Sequence, residues 1–291
     1  RIVAAQWQPS GQGIWCDYPR TIMPPSLADV RAASSLAELG ALAMDCRACS
    51  LWQPASRTVF GMTRTAFGTT PPSAVPGSDT DADGDVDRAC RANRATGDEQ
   101  GLQAGNARLQ SPRPSLATAP SAPVSGLMLV GEQPGDQADL AGRPFVGPAG
   151  QVLDTALAAA GFTREQVYIT NAVKHFRFIP RNGRRLHQKP GEDSIQACRI
   201  WLEAERRVLG PALTVMLGAT AASSLLRRPV TIPREPSRIL VLDDGTSGLV
   251  TVHPSYLLRL PDADSRQREQ ARFVSDLKLA RDFLLHKQGL D

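Results

Sequence analysis

The residues able to do chemistry in this chain gather where apolar runs end. Gly126 to Gly150 reads GLMLVGEQPGDQADLAGRPFVGPAG: a short apolar run, Leu127 to Val130, opens into a loop rich in glycine and proline that carries Glu132, Gln133, Asp136, Asp139 and Phe145. A buried strand feeding such a loop is the usual construction of an active site, and the glycines and prolines predict a backbone that is not helical. The loop contains neither G-x-G-x-x-G nor G-x-x-x-x-G-K-[ST], so dinucleotide and phosphate-loop chemistry is disfavoured. A second group is Cys46-Arg-Ala-Cys49. It follows a helix candidate and enters a loop, whereas a thioredoxin-type redox pair sits between strand and helix of a βαβ unit, so metal binding is the preferred reading. A third is Lys174 to Pro190, KHFRFIPRNGRRLHQKP, in which six residues are Lys or Arg and none is acidic, with Phe176 and Phe178 interrupting the charges. Such a composition suits a phosphate backbone and its bases. Taken by itself, His187 in this stretch reads as a phosphate-contacting histidine on a flexible loop.

The elements that must position these groups alternate in type. Leu27 to Asp45 carries a helical stripe, and strands are predicted at Leu127–Val130, Val167–Thr170, Leu213–Leu217, Ile239–Leu242 and Leu249–Val252. Helices are predicted at Ala149–Ala160, Ser194–Leu209, a short one after Leu217, and about Ser265–Leu285. Strands alternating with helices imply an α/β fold with a mainly parallel sheet, whose ligands sit beyond the carboxyl ends of the strands. Asn171 and His253-Pro254-Ser255 each follow a strand, so one cleft can collect them with the Glu132 loop.

With 291 residues, 42% of them hydrophobic, the chain can bury one sizeable core plus appendages. Residues 1 to about 27, with Trp7, Trp15 and Tyr18, read as an arm or the remnant of an upstream domain. From about 62 to 124 the composition turns to Pro, Gly, Ala, Ser, Thr and Asp, which predicts a flexible insert. Asp79 to Asp87 inside it matches the opening of an EF-hand loop, but Cys90 stands where the closing Glu belongs, and a solvated acidic loop is preferred over calcium. A net charge of +4 and a pI near 9.0 favour an anionic partner. Five cysteines without an export signal point to reduced thiols or a metal. No apolar run approaches the ~20 residues of a membrane span, and a cytoplasmic, monomeric protein is expected.

The strings GEQPGD and AGRPFVGPAG resemble the first catalytic motif of the uracil-DNA glycosylase superfamily, and most closely its UdgX branch, relatives of the iron-sulfur family-four enzymes. TNAVKHF, RRLHQKP and HPSYLLR carry the same resemblance, which covers about Leu36 to Gly61 and Gly126 onward. It implies a three-layer α/β/α fold around a mainly parallel four-stranded sheet. It implies a 4Fe-4S cluster on Cys46, Cys49, His175 and Cys198, with structural zinc equally compatible on valence alone. Phe145, Asn171, Gly131 and Asp136 would surround an extruded uracil, Asn171 matching O4 and N3–H. Glu132 would stabilise the sugar cation, with Gln133 beside it and His253 donating to uracil O2. Arg184, Arg185, Lys189, Ser255 and Arg259 would contact DNA, and Tyr256 and Leu257 would wedge into the stack. His187 aligns with the UdgX histidine that attacks the anomeric carbon, leaving protein and DNA covalently joined. Uracil-containing, mainly single-stranded DNA is the implied partner. Two competitors stand beside this reading: a turnover glycosylase in which Glu132 directs water, and a non-catalytic DNA-binding module with a structural cluster or zinc.

Overall fold

A computed structural model of the chain describes residues 25–63, 126–232 and 237–289. The arm before residue 25, nearly all of the insert, the calcium-like stretch 79–87, Cys16 and Cys90 lie outside the described residues.

The predicted first helix is two. Helices α1 (Leu27–Ala32) and α2 (Leu36–Ala43) are separated at Ser34 and Ser35, and each begins with a capping box, Ser26 with Asp29 and Ser35 with Glu38. The Ser34 and Ser35 N–H groups both donate to Glu38 Oε2, so the break satisfies donors that a continuous helix would have paired internally.

The sheet has five strands rather than four. Strands β1 (Leu127–Gly131) and β2 (Val167–Asn171) pair in parallel, and β5 (Leu213–Leu217) and β7 (Ser247–Thr251) extend the parallel array in the order β2-β1-β5-β7. The fifth, β6 (Ile239–Val241), is antiparallel to β7 and closes the edge. Strands β1, β2 and β5 are buried along their whole length, because helices cover both faces. One face packs on α4 (Pro148–Ala159) and α8 (Ala263–Gln288) through Leu153, Leu157, Phe273 and Leu277. On the other, Met128, Val130 and Met216 meet Leu202 of α5 (Glu192–Leu209) and Ala221 and Leu225 of α6 (Ala219–Leu226). The segment before the insert joins this body: Met62 bridges Ile169, and Val59 N–H donates to the Lys174 carbonyl.

Two elements depart from expectation. Asp136–Ala141 of the glycine-rich loop forms a short helix, α3, stopped by Gly142 at φ 67°. The basic stretch is a hairpin, β3 (Phe178–Arg181) and β4 (Arg184–His187), turning through Asn182 and Gly183, both at positive φ. That is the geometry of a two-residue type I′ turn, which Asn-Gly favours. The register pairs Phe178 with His187 and Ile179 with Leu186. Alternation then places Phe178, Arg185 and His187 on one face and Ile179, Arg184 and Leu186 on the other.

Candidate active site

Every loop that leaves the carboxyl end of a parallel strand reaches the same cavity, about 1160 Å³ in volume. Glu132 and Gln133 follow β1, Asn171 ends β2, Gly218 and Thr220 follow β5, and His253 follows β7. His187 and Lys189 enter from the hairpin, and Asp136, Phe145, Ser255, Tyr256 and Arg259 complete the rim. Arg184 projects from the outer face and is not among the lining residues.

The end of the cavity at Phe145 and Asn171 is closely packed. Phe145 holds φ 55°, an unusual conformation for a non-glycine residue. Its neighbours permit this only because they are glycines: a Cβ on Gly150 would collide with the Phe145 carbonyl, and one on Gly131 would come within 2.5 Å of both the Phe145 ring and Asn171 Oδ1. Asn171 is buried, and its Oδ1 has no hydrogen-bond partner. A bare acceptor in such a place is costly unless a ligand supplies the donor. Below it, Lys174 Nζ donates to Thr170 Oγ1, the Asn171 carbonyl and Glu205 Oε2 at 2.7, 2.7 and 2.6 Å, and both charged side chains are fully buried. Tyr168 and Gly61 N–H satisfy the other Glu205 oxygen. This buried pair, which sequence reasoning missed, clamps the backbone that carries Asn171.

His253 lies against Phe145, with ring centroids 5.7 Å apart. Its Nδ1 accepts from Ser255 N–H at 3.2 Å, which puts the proton of a neutral ring on Nε2. Burial pushes its pKa down to about 4, helped by Arg259 and opposed by Glu132, so the ring is an uncharged donor at neutral pH.

Glu132 is held at both oxygens. Thr220 Oγ1 donates to Oε2 at 2.6 Å, and His187 Nε2 stands 3.3 Å from Oε1. Burial alone would raise the carboxyl pKa, but the bonds from His187 and Thr220 outweigh it and hold Glu132 below the usual range. Gln133 does not face the cavity with a free amide. It donates to the carbonyls of Arg177 and Gln188 and accepts from Arg177 N–H, which ties the base of the hairpin to β1. Farther along the hairpin, Arg185 bonds Asp136 at 2.5 Å, Asp139 at 2.6 Å and Ser56 at 3.0 Å, and covers the stacked rings of Phe176 and Phe178. Arg185 and Phe176 are therefore occupied within the protein, and Phe176 is buried. Leu257 faces the core, so the exposed apolar groups of that turn are Tyr256 and Leu258.

The expected cysteine ligands fall in two apolar clusters, Cys49 and Cys198 in one and Cys46 in another. Cys49 lies against Cys198 and His175: a hydrogen bond from Cys198 draws the Cys49 thiol well below its usual range, and the same bond with burial pushes Cys198 up. Cys46 is buried beside them in sequence but accepts from Trp201 Nε1 at 3.1 Å. His175 is buried, its Nε2 paired with Thr58 and its Nδ1 without a partner. Among the described residues no three His, Cys, Asp or Glu side chains stand in a metal-holding arrangement. The donor chemistry fits a metal group at three of the four positions, where Cys49 meets Cys198 and His175 and the buried His175 Nδ1 is bare, while Cys46 is engaged by Trp201.

The pocket beyond the strand ends thus gathers an acid, an amide and two imidazoles. Residues 121–278 match the Uracil DNA glycosylase superfamily. The chain belongs to that superfamily. Among similar proteins, the type-4 uracil-DNA glycosylase of Thermotoga maritima is 37% identical over 165 residues, covering 56% of this chain and 79% of the relative. The type-4 uracil-DNA glycosylase of Archaeoglobus fulgidus is 40% identical over 158 residues, 52% of this chain and 76% of the relative. That of Pyrobaculum aerophilum is 42% identical over 101 residues, 35% and 48%. The α/β fold with its mixed, mainly parallel sheet is consistent with that superfamily, and no described helix is long and apolar enough to cross a membrane.

Proposed function

We propose that this chain excises uracil from DNA, with single strands preferred, and then captures the abasic sugar on His187. The observation that carries the reading is the position of the His187 ring: its Nε2 lies 3.3 Å from Glu132 in the cavity that also holds Asn171, Phe145 and His253. An extruded uracil stacks on Phe145, and the bare Asn171 oxygen accepts from its N3–H, a proton that cytosine lacks. The bond between C1′ and the base nitrogen breaks with its electron pair leaving on uracil, and neutral His253 donates from Nε2 to O2 where the charge develops. Glu132 stabilises the sugar cation, His187 Nε2 bonds to C1′, and its proton passes to Glu132. Gly131 keeps the base slot narrow, Gln133 holds the hairpin that delivers His187, and Asp136 anchors that hairpin through Arg185. Arg184, Lys189, Ser255 and Arg259 are the remaining candidates for phosphate contact.

Cys46, Cys49, His175 and Cys198 would hold a 4Fe-4S cluster, with zinc as the alternative. Bound there, such a group would act structurally, cross-linking the segment after α2 to the turn after β2 and to α5. Iron content and visible absorption of the purified protein distinguish the two.

The competing reading is a turnover enzyme in which Glu132 directs water, and the type-4 names of the relatives favour it. A uracil-containing single-stranded oligonucleotide on a denaturing gel separates them. Capture predicts about one boiling-resistant adduct per protein, lost in His187→Ser, whereas free abasic DNA in molar excess over protein would overturn it.

A further inference from the structure

The corner between β5 and α6, Leu217-Gly218-Ala219-Thr220, belongs to none of the motifs picked out in the sequence, yet it touches both halves of the site. Gly218 has φ 89°, and a Cβ there would come within 2.9 Å of the His253 Cβ. Two residues on, Thr220 is 4% exposed and donates its hydroxyl proton to Glu132 Oε2 at 2.6 Å. The other oxygen of that carboxylate already faces His187 Nε2. Glu132 thus has one oxygen fixed to the protein body and one directed to the histidine, and it cannot turn to present both to solvent without breaking a charge-assisted bond.

We propose that Thr220 is a positioning residue that commits Glu132 to His187 rather than to water, and so sets whether the sugar ends on the protein or is hydrolysed. The inference rests on the capture reading above. With Oε2 held, the oxygen beneath C1′ is the one that takes the Nε2 proton as the Nε2–C1′ bond forms. With Oε2 released, the carboxylate can instead accept a proton from water whose oxygen bonds C1′, giving free abasic DNA. Both routes begin with the same departure of uracil, so Thr220 acts on the partition of the product.

The test compares Thr220→Val, which keeps shape and loses the donor, with Thr220→Ser, which keeps the donor, on a uracil-containing single strand. Adduct and free abasic DNA are counted on one gel, with DNA affinity and thermal melting as folding controls. Thr220→Val is expected to slow adduct formation about tenfold, the loss of one hydrogen bond to a charged group, and to raise the free abasic share several-fold. Thr220→Ser is expected to restore the wild-type ratio. Should Thr220→Val melt early, Thr220→Ala carries the same prediction. An unchanged ratio in a folded donor-less variant, with wild-type protein still forming adduct, overturns the role of Thr220 alone. Wild-type protein that yields only free abasic DNA overturns the capture reading, and this inference with it.

Discussion

The two walls of the cavity are built by different physics. The base-facing wall, from Gly131 to Asn171 and His253, grows out of strands buried along nearly their whole length, and its positions are fixed by close contact: Phe145 at positive φ, glycines with no room for a Cβ, a buried Lys174–Glu205 pair below. The hairpin wall is largely exposed and is tied to the body at a few polar points, the Gln133 amide, the Arg185 bonds to Asp136 and Asp139, and the His187–Glu132 contact. Packing tolerates little displacement, whereas polar ties can be cut one at a time without loss of the core. On the proposed reading, recognition of the base and capture of the sugar should therefore be separable by mutation.

The largest effect is expected on the packed wall. Gly131→Ala places a methyl within 2.5 Å of Asn171 Oδ1 and the Phe145 ring, so one or both must move. Uracil release should fall about 100-fold, the scale of an ångström of misplacement, and adduct formation with it. If Gly131→Ala released uracil at the wild-type rate, the wall would not be the rigid part. On the hairpin, Arg185→Met leaves the buried Asp139 with only the Ser56 and Arg57 amides and should cost about 2 kcal/mol in chemical denaturation. Here the two activities should part: adduct formation falls about tenfold in single-turnover assays while release of uracil falls less. Equal losses would mean that the hairpin also shapes the base slot.

The contrast also explains what the sequence made legible. Apolar runs announced the parallel strands, and the motif loops beyond them held Glu132, Asn171 and His253 where strand-end logic puts ligands. The edge strand β6 was visible as a run, but the resemblance implied a sheet of four. In sequence the hairpin shows only a phosphate-binding composition, because its charges hide the Asn182-Gly183 turn signal, and its register depends on pairing, which composition does not encode. Ser35 and Glu38 spelled the capping box that splits the first helix, a local signal overridden by the longer stripe of leucines. Thr220 and Glu205 carry no local signature at all, since their partners lie 88 and 31 residues away in the chain.

A smaller effect concerns pH. His253 has its pKa lowered to about 4 in the folded chain against about 6.5 unfolded, so the unfolded state binds a proton first as pH falls. The stability it contributes is complete above pH 6.5 and is lost as pH falls towards 4, which a series of thermal melts should show and His253→Gln should flatten. Glu132, also lowered, acts only below its ordinary range.

The most direct test of capture is peptide mapping by mass spectrometry after reaction with a short uracil-containing strand. The mass of the abasic product should appear on the peptide containing His187, on the imidazole, in a one-to-one complex. Attachment at another residue, or unmodified protein beside an excess of released uracil, would contradict it.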